Sequence, residues 1–167
     1  NINTKGLGEK NIEKLIDAGL DTIPKILSAS KENFLEVEGF KEKSAINLVE
    51  SINKSTKNIP LAKLMSASNR LGHGLGTERF KLVLSTYPNL MTEYKEWSKI
   101  EFIDKIKAIN GWEDKTASLF VSNFKDFIKF YESIKKYITL EVTAKVTKSW
   151  LTGLTIVMTG FRDNNLT

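Results

Sequence analysis

Apolar residues along the chain recur at the spacing of helices that bury one face. One set of four occupies positions i, i+3, i+4 and i+7: Ala45, Leu48, Val49 and Ile52. This spacing puts the four side chains on a single face of a helix. The set follows directly on a glycine, Gly39, whose backbone can adopt the angles of a tight turn. The pattern therefore predicts a turn that leads into an amphipathic helix.

The same combination of glycine turn and apolar helix face occurs four times. Each turn has a leading glycine, an apolar second residue and a third turn residue: Gly6-Leu7-Gly8, Gly39-Phe40-Lys41, Gly74-Leu75-Gly76 and Gly111-Trp112-Glu113. The apolar faces that follow the other three turns begin with Ile12, Leu15 and Ile16, with Phe80, Val83 and Leu84, and with Ala117, Phe120 and Val121. The leading glycines are 33, 35 and 37 residues apart. Repeats of this length indicate an array of small supersecondary units.

Capping residues and prolines predict the remaining elements. Thr22, Ser30 and Ser98 are candidate N-caps, and Gly19 suits the C-terminus of the first helix. Helices are predicted over residues 9–18, 61–68 and 98–109, from the second turn to 53, from the third turn to 86, from the fourth turn to 123, and over 125–137. Residues 139–147 are rich in β-branched side chains and predict an extended linker, and residues 153–160 predict a buried strand.

Composition excludes several classes of protein. The 167 residues suffice for one or two domains, and no apolar run approaches the length of a membrane span, so no membrane partner is expected. The chain has no cysteine, which excludes a disulfide framework and a cysteine zinc site within it. Its formal charge is +5: residues 1–58 are neutral, residues 59–137 carry +4 and residues 138–167 carry +1. If the chain binds a polyanion, its second half should contribute more of the long-range attraction.

A glycine turn at the start of a helix is suited to bind an anion. The amides of the first helical turn lack intrahelical acceptors, and the helix dipole favours negative charge there. Four cations follow the leading glycines by four or five residues: Lys10, Lys43, Arg79 and Lys115. Lys41 and Lys43 oppose the dipole, a cost that a bound anion would offset. Backbone donors recognise phosphate and not bases, so the predicted binding is independent of sequence. The alternative is that these turns only join helices in a bundle, but their fourfold recurrence favours phosphate binding.

The sequence contains no catalytic constellation. No nucleophile stands with a base, and there is no Lys-x-Asp-Gly motif for covalent nucleotide transfer. His73 is the only histidine, which makes a metal site improbable on composition, and we interpret it as a turn residue. Trp97, Trp112 and Trp150 are expected to be buried and not to stack on bases. This segment by itself is therefore not expected to be an enzyme.

The repeated turn resembles the helix-hairpin-helix motif, whose Gly-apolar-Gly hairpin holds DNA phosphates. Four copies in tandem resemble the helix-hairpin-helix domain of NAD-dependent DNA ligases, most clearly over residues 5–19 and 35–45. The segment Leu154-Thr155-Ile156-Val157-Met158-Thr159-Gly160 is similar to the first strand of a BRCT domain, with Thr159 and Gly160 at its turn. The sequence departs from the family pattern at Lys41, at Phe80 and at Glu113-Asp114, and the acidic pair is expected to weaken the fourth hairpin.

The resemblance implies a mainly α fold of four helix-hairpin-helix motifs in two paired units, followed by the first strand of a truncated α/β BRCT domain. The corresponding domains would be residues 1–137, a linker at 138–152 and the BRCT start at 153–167. The implied role is to close a clamp on nicked double-stranded DNA in replication and repair. The parent enzyme would use NAD, zinc and magnesium, none of them held by this segment, and its adenylation, OB and zinc-finger domains would lie upstream in the same chain. The implied location is cytoplasmic, at a bacterial nucleoid or a viral replication site.

Two other functions are compatible with the sequence. The chain could be the helix-hairpin-helix module of another repair or recombination protein, although the BRCT-like strand argues against that. It could also be a protein-interaction scaffold that has lost DNA affinity, which the neutral charge of residues 1–58 favours.

Overall fold

A computed structural model describes residues 4–141 as a mainly helical fold. The helices within this range are α1 (Glu9–Asp17), α2 (Ile23–Ser28), α3 (Lys31–Leu35), α4 (Glu42–Ser55), α5 (Leu61–Ala67), α6 (Thr77–Thr86), α7 (Leu90–Glu93), α8 (Lys99–Lys107) and α9 (Asp114–Ile134). The predicted mainly α class is confirmed. The predicted strand at 153–160, most of the predicted linker, and Trp150, Thr159 and Gly160 lie outside the described residues.

The predicted caps are where the sequence places them. The hydroxyls of Thr22, Ser30 and Ser98 each accept a hydrogen bond from the backbone N–H three residues later, at 3.4, 3.4 and 3.2 Å. At the end of α1, Gly19 has a positive φ of 85°. Its N–H donates to the Ile16 carbonyl, and the next N–H, that of Leu20, donates to the Leu15 carbonyl. This pair of bonds ends the helix in a Schellman motif.

The helices pack around two hydrophobic cores, one for each half of the described chain. The first core is formed by α1, α3 and α4 and consists of Leu15, Phe34, Val37, Ala45, Leu48 and Ile52. The second is larger and includes the edge-to-face aromatic cluster of Phe102, Phe120 and Phe124 on α8 and α9. Leu27 of α2 packs against both cores. Each pair of glycine turns thus has its own core, and α2 helps to join them.

Three details differ from the sequence prediction. Helix α9 runs unbroken from Asp114 to Ile134, where two helices meeting near residue 124 were predicted. Its interior contains neither glycine nor proline, and Phe120, Phe124 and Phe127 keep one continuous face in the core. The one-turn helix α7 was not predicted. Finally, Ile12 and Ile16 of the predicted buried face of α1 are 39% and 48% exposed, because α1 lies at the edge of the small first core and buries only Leu15.

Residues 138–141 are attached to the helical domain by hydrogen bonds. The N–H groups of Ile59 and Glu141 donate to the carbonyls of Thr139 and Ile59, and Ile59 and Leu140 form an isolated parallel bridge. Ile138 is buried in the second core. The packed domain therefore continues into the first residues of the segment that the sequence assigns to the linker.

Candidate nucleic-acid interface

All four glycine turns have the same backbone conformation. The leading residues Gly6, Gly39, Gly74 and Gly111 have φ between 80° and 93°, the left-handed region that glycine adopts without strain. The third turn residues, Gly8, Lys41, Gly76 and Glu113, are extended N-caps with ψ between 163° and 169°. The sequence repeat is therefore also a repeat of local structure.

The apolar second residue fixes each turn to the core. Leu75 and Trp112 are buried, whereas Leu7 and Phe40 are half-buried against the first core. In three of the turns the N–H of this residue donates to the carbonyl three positions earlier, Leu7 to Thr4, Phe40 to Val37 and Trp112 to Ile109. With the side chain inside, the glycines face outward, and all four leading glycines are exposed.

Hairpins one and three leave their N-terminal amides free. Within residues 4–141, the N–H groups of Gly8, Glu9 and Lys10 have no hydrogen-bond acceptor, and neither do those of Gly76, Thr77 and Glu78. A Cβ built on Gly8 or Gly76 meets no atom within 4 Å. An anion can therefore approach these amides closely, and the helix dipole favours negative charge at this end.

Hairpins two and four cap part of their amide set internally. The Ser44 hydroxyl accepts from the N–H of Lys41 at 2.8 Å, and the Thr116 hydroxyl accepts from the N–H of Glu113 at 3.1 Å. Each hydroxyl also donates back to the carbonyl of the same residue. The two hairpins of each pair thus differ in which amide is occupied. In hairpins two and four it is the amide of the third turn residue, whereas in hairpins one and three the N–H groups of Asn11 and Arg79 donate to the carbonyls of Gly8 and Gly76 and the amides of these two glycines stay free within the described residues.

The predicted cations stand beside the turns. Lys10, Lys43 and Lys115 are exposed and Arg79 is half-buried. None of the four is in an ion pair with a carboxylate from the described part of the chain. Lys14, which the sequence analysis overlooked, lies against hairpin two: its Nζ is 2.6 Å from a Cβ built on Gly39. No sequence signal marks Lys14, because the contact joins α1 to the next hairpin.

The acidic residues of hairpin four are partly neutralised. Asp114 forms an ion pair with Lys107 of α8, and this contact raises the pKa of Lys107 above its ordinary value. Glu113 stays exposed at the N-cap, where a phosphate would approach. Ser44 and Thr116 were also overlooked as functional residues, although a hydroxyl at the third helical position is a recognisable capping signal.

Other candidates from the sequence have structural roles in this range. His73 is an exposed turn residue. Trp112 is buried, as predicted, and Trp97 is half-buried with its ring edge-on to Tyr87 and Phe102. Between residues 4 and 141 no group of three metal-ligating side chains comes together, and no helix is both long and apolar enough to cross a membrane.

Known proteins resemble this chain over nearly its whole length. Residues 2–54 match the family described as a SAM-like helix-hairpin-helix tandem. A protein named DNA ligase from Acanthamoeba polyphaga mimivirus is 34% identical over 165 residues, which are 98% of this chain and 26% of that relative. This chain is homologous to a segment of DNA ligases. The DNA ligases of Bacillus thuringiensis (strain Al Hakam) and Bacillus cereus (strain AH820) are each 31% identical over 170 residues, or 95% of the chain.

The chain spans about a quarter of the length of these DNA ligases. No solved structure matches it. The helix-hairpin-helix match covers the first two glycine turns, and turns three and four share their backbone geometry.

Proposed function

We propose that this chain binds duplex DNA without sequence preference and forms the clamp segment of an NAD-dependent DNA ligase that seals nicks. The observation that carries the proposal is the four turns of one conformation, each exposing a glycine and the first amides of a helix. A phosphate that accepts from these amides also meets the helix dipole and a neighbouring cation. The homology to proteins named DNA ligase supports the choice of DNA as the source of the phosphates.

The proposed DNA contacts follow the hairpins residue by residue. The set is Gly6, Leu7, Gly8, Lys10, Gly39, Phe40, Lys41, Lys43, Gly74, Leu75, Gly76, Arg79, Gly111, Trp112 and Lys115. Within it, the glycines and the third turn residues would supply backbone donors and the cations would reach flanking phosphates. Leu7, Phe40, Leu75 and Trp112 would act by fixing the turns. Hairpins one and three would bind most tightly, since in the described part of the chain the amides of Gly8 and Gly76 are free whereas those of Lys41 and Glu113 are capped.

The longer enzyme is part of the same proposal. Adenylation, OB and zinc-finger domains upstream of this segment would transfer AMP from NAD to the 5′ phosphate of a nick, with magnesium, and seal it in replication and repair. Residues 153–167 would begin a BRCT domain, with Thr159 and Gly160 at the turn after its first strand. The expected site of action is a bacterial nucleoid or a viral replication site, in line with relatives from both kinds of source. The full-length protein should seal nicked duplex with NAD as its nucleotide and fail to do so with ATP.

Binding across a salt series tests the DNA-binding role of the chain itself. We would measure Kd for a nicked duplex, for the same duplex intact and for a single strand. Contact with about four to eight phosphates predicts a slope of roughly −4 to −7 in a plot of log K against log salt, with no dependence on sequence. A preference for the nick would favour the ligase role over another repair protein. No binding at 50 mM salt, the condition that favours it most, would instead support a protein-interaction scaffold.

A further inference from the structure

A cleft lies beside α4 and connects the first pair of hairpins to the second half of the domain. It has a volume of about 880 Å³. It begins at hairpins one and two, where Gly6 and Phe40 line it, follows α4, and ends at residues 57–63. We refer to it as the α4 cleft.

Charge in the α4 cleft is strongly one-sided. Four lysines line it, Lys5, Lys54, Lys57 and Lys63, and the only acidic lining residue is Glu50. In the part of the chain that the structure describes, none of these lysines is in an ion pair. Seven other lysines of the described residues each pair with a carboxylate: Lys25, Lys31, Lys81, Lys105, Lys107, Lys129 and Lys135. The remaining ones, which include Lys10, Lys43 and Lys115 at the hairpins, form no such pair. Four unneutralised ammonium groups around one cleft make it a region of positive potential.

The side of α4 that borders the cleft is small and polar. Seven residues of α4 line the cleft, five of them polar or basic: Ser44, Asn47, Leu48, Glu50, Ser51, Lys54 and Ser55. Ala45, Leu48 and Ile52 of the same helix are buried in the first core, and Leu48 also lines the cleft. Among the lining residues, the short side chains of Asn47 and Ser51 can donate to phosphate oxygens and leave room for a chain of phosphates to approach.

The dimensions suit a nucleic-acid backbone. From Ser44 to Ser55 the helix rises about 16 Å at 1.5 Å per residue. Along a duplex whose axis is parallel to α4, one strand has a phosphate every 3.4 Å of axis, so this length corresponds to about five phosphates. The cleft also begins at hairpin one, so a strand held by that hairpin can continue along α4 without a break.

We infer that the α4 cleft is an additional binding site for the phosphate backbone of DNA, which continues the contact made by the first two hairpins. The inference rests on the proposed function and extends it beyond the hairpins. Residues 1–58 would then attract DNA locally although their total charge is neutral, because only one of their nine acidic residues lines the cleft.

The test removes charge from the cleft and leaves the hairpins intact. In the double variant Lys54→Gln/Lys57→Gln, both lysines are exposed, so folding should be unaffected, which circular dichroism would check. The expected result is duplex binding at least about ten-fold weaker at 50 mM salt, with the salt slope reduced in magnitude by about 1 to 2. The matched control Lys95→Gln/Lys125→Gln changes the net charge equally at exposed lysines outside the cleft and should leave the slope unchanged.

A second variant places negative charge on the cleft wall. Ser51→Glu should weaken duplex binding more than Ser122→Glu, which adds the same charge to the exposed side of α9. If the wild-type chain binds duplex DNA but both cleft variants match their controls, the cleft is not a backbone site and the hairpin proposal stands. If the wild-type chain binds no DNA, the proposed function fails with it. Equal losses in the cleft variants and their controls would mean that only net charge matters, which also overturns the inference.

Discussion

At the scale of single residues, the side chain at the third helical position decides whether the amide of the third turn residue is free for a ligand. Gly8 and Gly76 have no side chain, and their own N–H groups and those of the next two residues have no acceptor between residues 4 and 141. Lys41 and Glu113 are followed by Ser44 and Thr116, whose hydroxyls occupy one amide of each turn. A backbone donor that is already paired must break that bond before it binds phosphate, so the two kinds of hairpin should differ in affinity.

Substitution of Gly8 separates stability from binding. Gly8 has φ −77° and ψ 163°, which serine adopts without strain, and serine is a better N-cap than glycine. Gly8→Ser should raise the free energy of unfolding by a few tenths of a kcal/mol. It should also weaken duplex binding several-fold, because its hydroxyl competes with phosphate for the same amides. Thermal melts and a binding titration of one preparation would measure both.

The control for this substitution is at Gly19, which ends α1 away from the turns. Gly19→Ser should destabilise the chain, since φ there is 85°, and leave the affinity of the folded protein unchanged. Gly39 is a less informative position, because its φ of 82° and the nearby Lys14 make any side chain costly for folding as well. A Gly8→Ser variant that is more stable and binds DNA as the wild type does would contradict phosphate binding at hairpin one.

At the scale of elements, α9 shows how burial extends a helix beyond its local signals. The sequence around residue 124 suggested a junction between two helices, but Phe120, Phe124 and Phe127 pack into one core. Continuity keeps all three rings on the same face, whereas a break would turn part of the aromatic cluster towards water. Tertiary packing thus joins two stretches whose apolar patterns are in phase.

A proline at residue 125 distinguishes one helix from two. In a continuous α9, Lys125→Pro removes an internal hydrogen bond and clashes with the preceding turn, at a cost of about 3 kcal/mol or more. If a second helix began at residue 125, proline would occupy its first position, where it is tolerated. Chemical denaturation would measure the difference, with Lys125→Ala as the control for loss of the lysine side chain. A neutral Lys125→Pro would contradict the continuous helix.

At the scale of the whole molecule, the two halves are held together by few elements. Helix α2 contacts α9, and residues 138–141 return to the connector between α4 and α5. Thr139 takes part three times: its N–H donates to the Thr56 carbonyl, its carbonyl accepts from the N–H of Ile59, and its hydroxyl accepts from the N–H of Asn58. The relative placement of the two hairpin pairs, and with it the α4 cleft, therefore depends on residues distant in sequence.

Two truncations test how much the attachment of residues 138–141 contributes to stability. A chain that ends at Tyr137 loses the buried Ile138 and the backbone hydrogen bonds of residues 139–141, whereas a chain that ends at Glu141 keeps them. We expect the shorter chain to be less stable by about 2–4 kcal/mol, from apolar burial and hydrogen bonds together. Equal melting temperatures of the two truncated chains would show that residues 138–141 contribute nothing to the domain.

The sequence by itself determined the repeated local structure. A glycine, an apolar anchor and a helix with one apolar face are short-range features, so the positive φ of each leading glycine and most helix bounds were predictable. Prediction from the sequence failed for the contacts of three residues. The hydrogen bonds of Ser44 and Thr116 were readable as capping signals but were overlooked, whereas nothing in the sequence indicates that Lys14 reaches the next hairpin.

Only the tertiary structure decided how charge and cores are distributed. Residues 1–58 are neutral in sum, yet folding gathers Lys5, Lys54 and Lys57 around one cleft with Lys63 and leaves all but one of their acidic residues outside it. Likewise, α9 is continuous because its aromatic face has a core to fill, and Ile12 and Ile16 stay exposed because the first core is too small to cover them. Local propensity depends on neighbours in sequence, but electrostatic potential and burial depend on neighbours in space, which only the folded chain defines.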